Sequence, residues 1–167
     1  IKIIPMESII VVNEHFQIKD ISILLMETSH DVMSYGFVIE SSGSSIVYIT
    51  DTGYINKKYH KLTNNKNIYI VESNHDEEML MNGPYPYHLK QRVISDKGHL
   101  SNRYTGKYLT KVIGNNTKYI FLAHISENNN TYDLAYEQVR EELVNSEFNN
   151  YEMIVTHQNE ESDMIEV

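Results

Sequence analysis

ISILLMETSH, residues 21–30, is an apolar run that stops on a histidine, and two later runs repeat its plan: SSIVYITD (44–51) stops on Asp51 and KYIFLAH (118–124) on His124. A buried strand holds its last residue rigidly. A sheet whose strands end on one rim therefore gathers such residues from distant sequence positions into one pocket. NIYIVESNH (67–75), ending on His75, and YEMIVTH (151–157), ending on His157, extend the pattern to five tips. Strand ends bearing His or Asp in this number predict a metal or acid/base centre.

Outward from that first run, alternation in ESIIVVNEHFQIKDISILLMET (7–28) predicts two strands, the second reaching His30. YGFVIESSGSSIVYITD (35–51) reads as a hairpin around a Ser/Gly turn, feeding Asp51. After the polar stretch KLTNNKN, NIYIVESNH reads as a buried strand, and DEEMLMNG as a short helix opened by acids and ended by Gly83-Pro84. Ser101 or Asn102 caps a helix to about Ile113, with Gly114-Asn115 as its stop. In TYDLAYEQVREELVNSEF (131–148), Leu134, Ala135, Val139, Leu143 and Val144 share one helical face. YEMIVT and MIEV close the chain as two short strands. Strands alternating with two or three helices predict an α/β or α+β layered domain, and 167 residues, 41% of them hydrophobic, fit one domain over 1–167.

The absence of cysteine excludes disulfides and thiolate zinc sites, so any metal sits among imidazoles and carboxylates. That favours a hydrolytic Zn or Mn centre over a structural zinc. No run is apolar and long enough to span a bilayer and no signal-peptide pattern is present, so the expected compartment is the cytosol. The chain begins on Ile1, and further sequence is expected upstream. Net charge is −9, yet between Pro86 and Lys118 the bases Lys90, Arg92, Lys97, Arg103, Lys107, Lys111 and Lys118 face the single acid Asp96. Such a patch can steer a polyanion; the plainer alternative is the solvated side of an amphipathic helix.

The runs SHDVMSYGFVIE, YITDTGY, VESNHDEEML, SDKGHLSN and LAHISENNN, in this order, resemble the C-terminal half of metallo-β-lactamase-fold hydrolases, closest to the YycJ/WalJ subgroup and more distantly RNase Z. The resemblance implies the C-terminal half of an αββα sandwich, a mixed β-sheet flanked by helices, with a two-metal centre on one edge. The family's His-x-His-x-Asp-His motif occurs nowhere in the chain and is expected upstream of Ile1. By resemblance, His30 and His124 ligate one metal each and Asp51 bridges both. The resemblance also implies a phosphodiesterase, in the closest subgroup a DNA exonuclease; spacing alone does not separate DNA from RNA.

The residue types suit that chemistry. Phosphodiester hydrolysis needs a hydroxide at neutral pH and compensation of charge at phosphorus, which two divalent ions about 3.5–4 Å apart provide. Asp is short and two-pronged, and neutral imidazoles bind without cancelling the metals' charge. Each residue has a plainer reading: His30 as a turn residue beside Asp31, Asp51 as an ordinary Asp-Thr-Gly turn, His124 as a core histidine.

His99 and Ser101 precede a helix, where free N–H groups attract anions. A histidine there can protonate a leaving oxygen or hold a phosphate; by resemblance to RNase Z-like enzymes His99 handles phosphate, while helix capping is the alternative for Ser101. Glu72, Asn74 and His75 are expected at the VESNHD tip, as catalytic (Glu72, His75) and substrate-binding (Asn74) residues or as a structural network. Asn128, Asn129 and Asn130 follow His124 and can reach the pocket, or, more simply, serve as loop residues, and His15, His60 and His88 read as surface or packing residues. Tyr35, Tyr54, Tyr85 and Tyr87 can stack on bases near a pocket or serve in the sheet and core.

The combined expectation is a metal-dependent phosphodiesterase acting on nucleic acid, DNA more than RNA, with this chain alone inactive. It would pair with its missing N-terminal half or with a second copy. The alternatives are a hydrolase of small thioesters, lactones or cyclic phosphates on the same scaffold, and a structural fragment without activity.

Overall fold

In a computed structural model of the chain, the residues described are 11, 12 and 14–166. Seven strands form one mixed sheet in sequential order: β1 (His15–Ile18), β2 (Ile21–Glu27), β3 (Tyr35–Ser41), β4 (Ser44–Ile49), β5 (Ile68–Glu72), β6 (Tyr119–Ala123) and β7 (Glu152–Val155). The first three pairings are antiparallel and the last three parallel. The β3–β4 hairpin turns on Ser42 and Gly43, both at positive φ, the geometry that matches the twist of the flanking strands. Since β2 and β4 both oppose β3, β2 runs with β4, β5, β6 and β7, and all five C-terminal ends share one rim.

Among the described residues five α-helices complete the fold, α1 (His60–Thr63), α2 (Glu77–Asn82), α3 (Tyr87–Val93), α4 (Asn102–Val112) and α5 (Tyr132–Leu143), with a 3-10 turn at Lys57–Tyr59 leading into α1. Ser101 caps α4 by accepting from the Tyr104 N–H, and Thr131 caps α5 in the same way from Leu134. One face of the sheet, with Met26, Val38, Val47, Ile49, Tyr69, Val71, Ile120 and Leu122, packs on Tyr108, Leu109 and Val112 of α4 and Ala135, Val139 and Leu143 of α5. Each fully buried Leu, Ile or Val contributes roughly 1.5–3 kcal/mol. The helices meet closely because Gly106 has no side chain: a Cβ there would lie 2.6 Å from Glu142 Cβ.

The opposite face is apolar as well. Register carries one row across the sheet through Leu25, Phe37, Tyr48, Ile70, Phe121 and Ile154, and a second through Ile23, Ile39, Ile46, Ile68 and Tyr119. None of these residues belongs to the core under the helices, and most are only partly buried.

Several expectations need correction. Val144 is exposed and lies beyond α5, and residues 164–166 form no strand, Val167 falling outside the described residues. In the segment read as two strands, Val11 and Val12 are in no strand and residues 7–10 lie outside the described residues. Helix α3 was not anticipated. The basic stretch is partly neutralised, with Arg92 paired to Asp31 and Arg103 to Glu141 and Glu142, and Lys107 lies over the Tyr104 ring. On α4 the bases occupy the exposed side of an amphipathic helix, the plainer of the two readings. No helix among the described residues is long and apolar enough to cross a membrane.

Candidate metal centre

The shared rim brings together the ends of β2, β4, β5 and β6, followed or occupied by His30, Asp51, Glu72 and His124. Asp51 and His124 each adopt left-handed backbone geometry, with φ of 56° and 57°. For residues with a Cβ this conformation costs on the order of 1 kcal/mol and occurs where surrounding contacts enforce it. Here both strand ends turn sharply so that their side chains face the same space.

Glu72 organises that space. It is fully buried, and its carboxylate accepts five hydrogen bonds: from Nδ1 of His99 and of His124 at 2.9 Å, from the Asp51 N–H at 3.2 Å, and from the Thr52 and Leu100 N–H groups at 3.0 Å. Burial pushes its pKa up, but the bonds from His124 and His99, the charge on His99 and the Leu100 N–H outweigh burial and hold it at about 2. The ionised carboxylate only accepts, so both imidazoles donate through Nδ1. Their Nε2 atoms have no hydrogen bond among the described residues. The bond to Glu72 also raises the pKa of His124, against the effect of its burial.

His30 is oriented from a different source. Its Nδ1 lies 3.1 Å from the Gly98 carbonyl, which fixes the proton there and leaves Nε2 3.8 Å from Asp51 Oδ1 and 3.3 Å from Asp31 Oδ1. Arg92 of α3 clamps Asp31, donating from Nε at 2.7 Å. Gly98 has no room for a side chain, since a Cβ would lie 2.1 Å from the Val93 carbonyl oxygen. Gly98→Ala is therefore expected to displace the loop that aims both His30 and His99, with little effect on the distant core. The check is a divalent-metal titration beside a urea melt: metal affinity should fall at least about tenfold, the scale of lost ligand orientation. Unchanged affinity would show that this loop does not position the site.

Ligand atoms of Asp51, Glu72, His99 and His124 lie within 4.8 Å of one another. Glu72 is saturated with hydrogen bonds, so it orients rather than ligates. Asp51 Oδ1 lies 3.9 Å from His124 Nδ1 as well as near His30 Nε2, and no hydrogen bond to it is present among the described residues. His30 and His124, tied at Nδ1 around a carboxylate with an open oxygen, form a donor set that suits divalent cations, and His99 stands beside it with its own Nδ1 tied to Glu72.

The sequence match takes in this whole group. Residues 4–125 match the beta-lactamase superfamily domain. The chain belongs to this superfamily. It is 37% identical over 129 residues to Exodeoxyribonuclease WalJ of Streptococcus pneumoniae, covering 77% of this chain and 48% of that protein. Exodeoxyribonuclease YycJ of Bacillus anthracis is 38% identical over 127 residues, 74% of this chain and 47% of that protein. The chain thus spans about half the length of the curated relatives it matches. The metallo-beta-lactamase fold protein YhfI from Bacillus subtilis shares the fold, with a TM-score of 0.61 at 17% identity over 85% of this chain and 49% of that chain.

In this metallo-β-lactamase rim, a cavity of about 700 Å³ opens beside the cluster, lined in part by Asp51, Asn74, His99, His124, Asn128, Asn129 and His157. Asn74 donates from Nδ2 to the His124 carbonyl at 2.9 Å. Of the residues expected at the site, His30, Glu72, His75 and Ser101 do not line this cavity. His75 is 2% exposed with no partner for Nδ1 among the described residues, and burial lowers its pKa to about 4. Ser101 is buried, and its hydroxyl caps α4 and donates to Glu77 at 2.8 Å. His157 stacks on Tyr132, with ring centroids 4.0 Å apart. His15 and His88 are exposed, and His60 packs edge-on against Tyr108.

Sequence reasoning missed the support beneath the site. Asn130, read as loop composition, is buried and donates to the carbonyls of Ser73 and Asn74, while Asn102 bonds Asn130 and Gln138. Three successive asparagines gave no signal that two of them, Asn129 and Asn130, are buried.

Proposed function

We propose that this chain forms the metal-holding rim of a hydrolase that cleaves phosphodiester bonds in DNA as an exonuclease. The supporting observation is the set of imidazoles tied at Nδ1 around Asp51, in a chain more than a third identical to two proteins named exodeoxyribonuclease. In this reading His30, His124 and Asp51 are the residues that would hold the divalent ions, zinc or manganese. Bound divalent ions supply Lewis acidity and make water a nucleophile at neutral pH. His99, held at Nδ1 by Glu72, presents Nε2 to the cavity, where it can pass a proton to the leaving oxygen. Asn74 orients the His124 turn and contacts substrate from the cavity wall.

The test is a terminally labelled DNA duplex incubated with Zn(II) or Mn(II) and the protein completed by the second β layer described below. Stepwise shortening stopped by EDTA and by Asp51→Asn is expected. Intact DNA alongside turnover of thioesters, lactones or cyclic phosphates would overturn the DNA reading.

The uncovered apolar face also belongs to this reading: it takes a second β layer, from the rest of a longer protein or from a second copy, and the chain alone is inactive without it. Exposed apolar patches beyond a few hundred Å² mark such surfaces. The 167-residue chain by itself is accordingly expected to self-associate in light scattering. A monodisperse monomer at high concentration would contradict this.

A further inference from the structure

Beyond the metal cluster, the site has a second cavity, of about 260 Å³, on the α3 side. Tyr85, Val93 and His99 line both it and the larger one, so Tyr85 borders both spaces that His99 borders. Its backbone is constrained, because Pro86, the N-cap of α3, confines the residue before it to extended geometry. The phenol makes no hydrogen bond among the described residues, and the residue is only partly buried. Of the tyrosines singled out in the sequence, Tyr35, Tyr54 and Tyr87 are 43%, 44% and 71% exposed and line neither cavity.

The chemistry of the larger cavity's wall narrows what Tyr85 can meet. No lysine or arginine lines it; away from the cluster its lining is largely neutral, with Val93, Ile125, Asn74, Ser126 and Asn128, and its one charged side chain there, Glu127, is an acid that repels phosphate. A phosphate finds no positive partner in those side chains. A flat neutral heterocycle finds an aromatic face, aliphatic edges and amide groups. The volume lies within the roughly 300–1,000 Å³ of small-molecule sites.

We propose that Tyr85 is the platform on which the nucleobase next to the cleaved phosphodiester stacks, so that the cavity beside His99 is a base subsite of broad sequence tolerance. This rests on the DNA reading above and adds a substrate-positioning residue to it. Stacking suits a nuclease without sequence preference, because every base has a π-face. It also registers the chain: a base held by Tyr85 sets the adjoining phosphodiester beside His99.

The test uses the 167-residue protein and single-stranded oligonucleotides whose terminal linkages are phosphorothioate, with 2-aminopurine at one end or the other, with and without Mn(II). Binding should change 2-aminopurine fluorescence in the wild type and in Tyr85→Phe. Tyr85→Ala should lose that change and bind roughly 5- to 100-fold more weakly. An oligonucleotide with an abasic terminal residue should bind the wild type with a similar loss, and Tyr85→Ala should weaken it no further. If the abasic and intact oligonucleotides bind the wild type equally, the inference is wrong even should Tyr85→Ala fail to fold. Tight binding unaffected by Tyr85→Ala overturns it while leaving the DNA reading intact. No binding of any oligonucleotide in either metal state overturns both.

Discussion

Glu72→Gln is expected to have the largest effect on stability of any single change at the rim. The carboxylate is fully buried and accepts from two imidazoles and three backbone N–H groups. An amide of the same shape turns one acceptor into a donor facing other donors, and leaves buried groups unpaired. Breaking a buried, hydrogen-bonded charge pair from one side costs on the order of 3–5 kcal/mol. Urea denaturation at pH 7 should show a loss of that size, and a metal titration should show weakened binding, because His99 and His124 lose their orienting partner.

The pH dependence has a definite sign. The folded-state pKa of Glu72, about 2, lies below the ordinary 4.5, so its contribution is fully present above about pH 4.5 and is lost as pH falls toward 2. The stability gap between wild type and Glu72→Gln should therefore narrow across that window. A gap that is small at neutral pH, or that widens in acid, would remove Glu72 from the centre of the account.

Asp51→Asn should have the largest effect on metal binding. Asp51 contributes the one carboxylate in the cluster that is not saturated, and its Oδ1 lies within 4 Å of both His30 Nε2 and His124 Nδ1. Asparagine is among the residues that best tolerate the left-handed backbone this position needs, φ 56°, so the substitution isolates the charge. Stability should change by no more than about 0.5 kcal/mol, as for partly exposed substitutions. Affinity for Zn(II) or Mn(II) should fall by at least about 100-fold, more than the loss of an orienting partner brings. Near-wild-type affinity in a folded Asp51→Asn protein would mean that any ion sits elsewhere.

The rim was legible because each buried strand announces itself as an apolar run and its last residue is read directly. Met26, Val47, Val71 and Leu122 sit under the helices while Asp51 and His124 gather at the ends with His30 beside Asp51, as the runs that contain them lead one to expect; the run read to His75 instead ends its strand at Glu72. Helix α3 was not legible, because PYPYHLKQRV begins with two prolines and has no buried residue to create a helical period. The carbonyl of Gly98 that orients His30 was invisible for another reason: backbone groups carry no sequence signal, and its partner is 68 positions away. Ser101 was placed at the site because it precedes a helix beside His99, and His75 because it ends the run NIYIVESNH. Alternation along the chain instead turns Ser101 into a helix cap and buries His75. Val144 extends the apolar face of α5 by arithmetic, but the helix ends at Leu143 and the side chain meets solvent.

The central claim is that the imidazoles at the strand tips bind a divalent cation together with Asp51. Titrating Mn(II) into the isotopically labelled chain while recording imidazole NMR signals tests this without requiring catalysis. The account predicts that His30, His99 and His124 broaden first and together, and that Asp51→Asn abolishes the effect, while His15, His60 and His88 stay sharp. Broadening led by those three surface and packing histidines, or spread evenly over all eight in the chain, would contradict it.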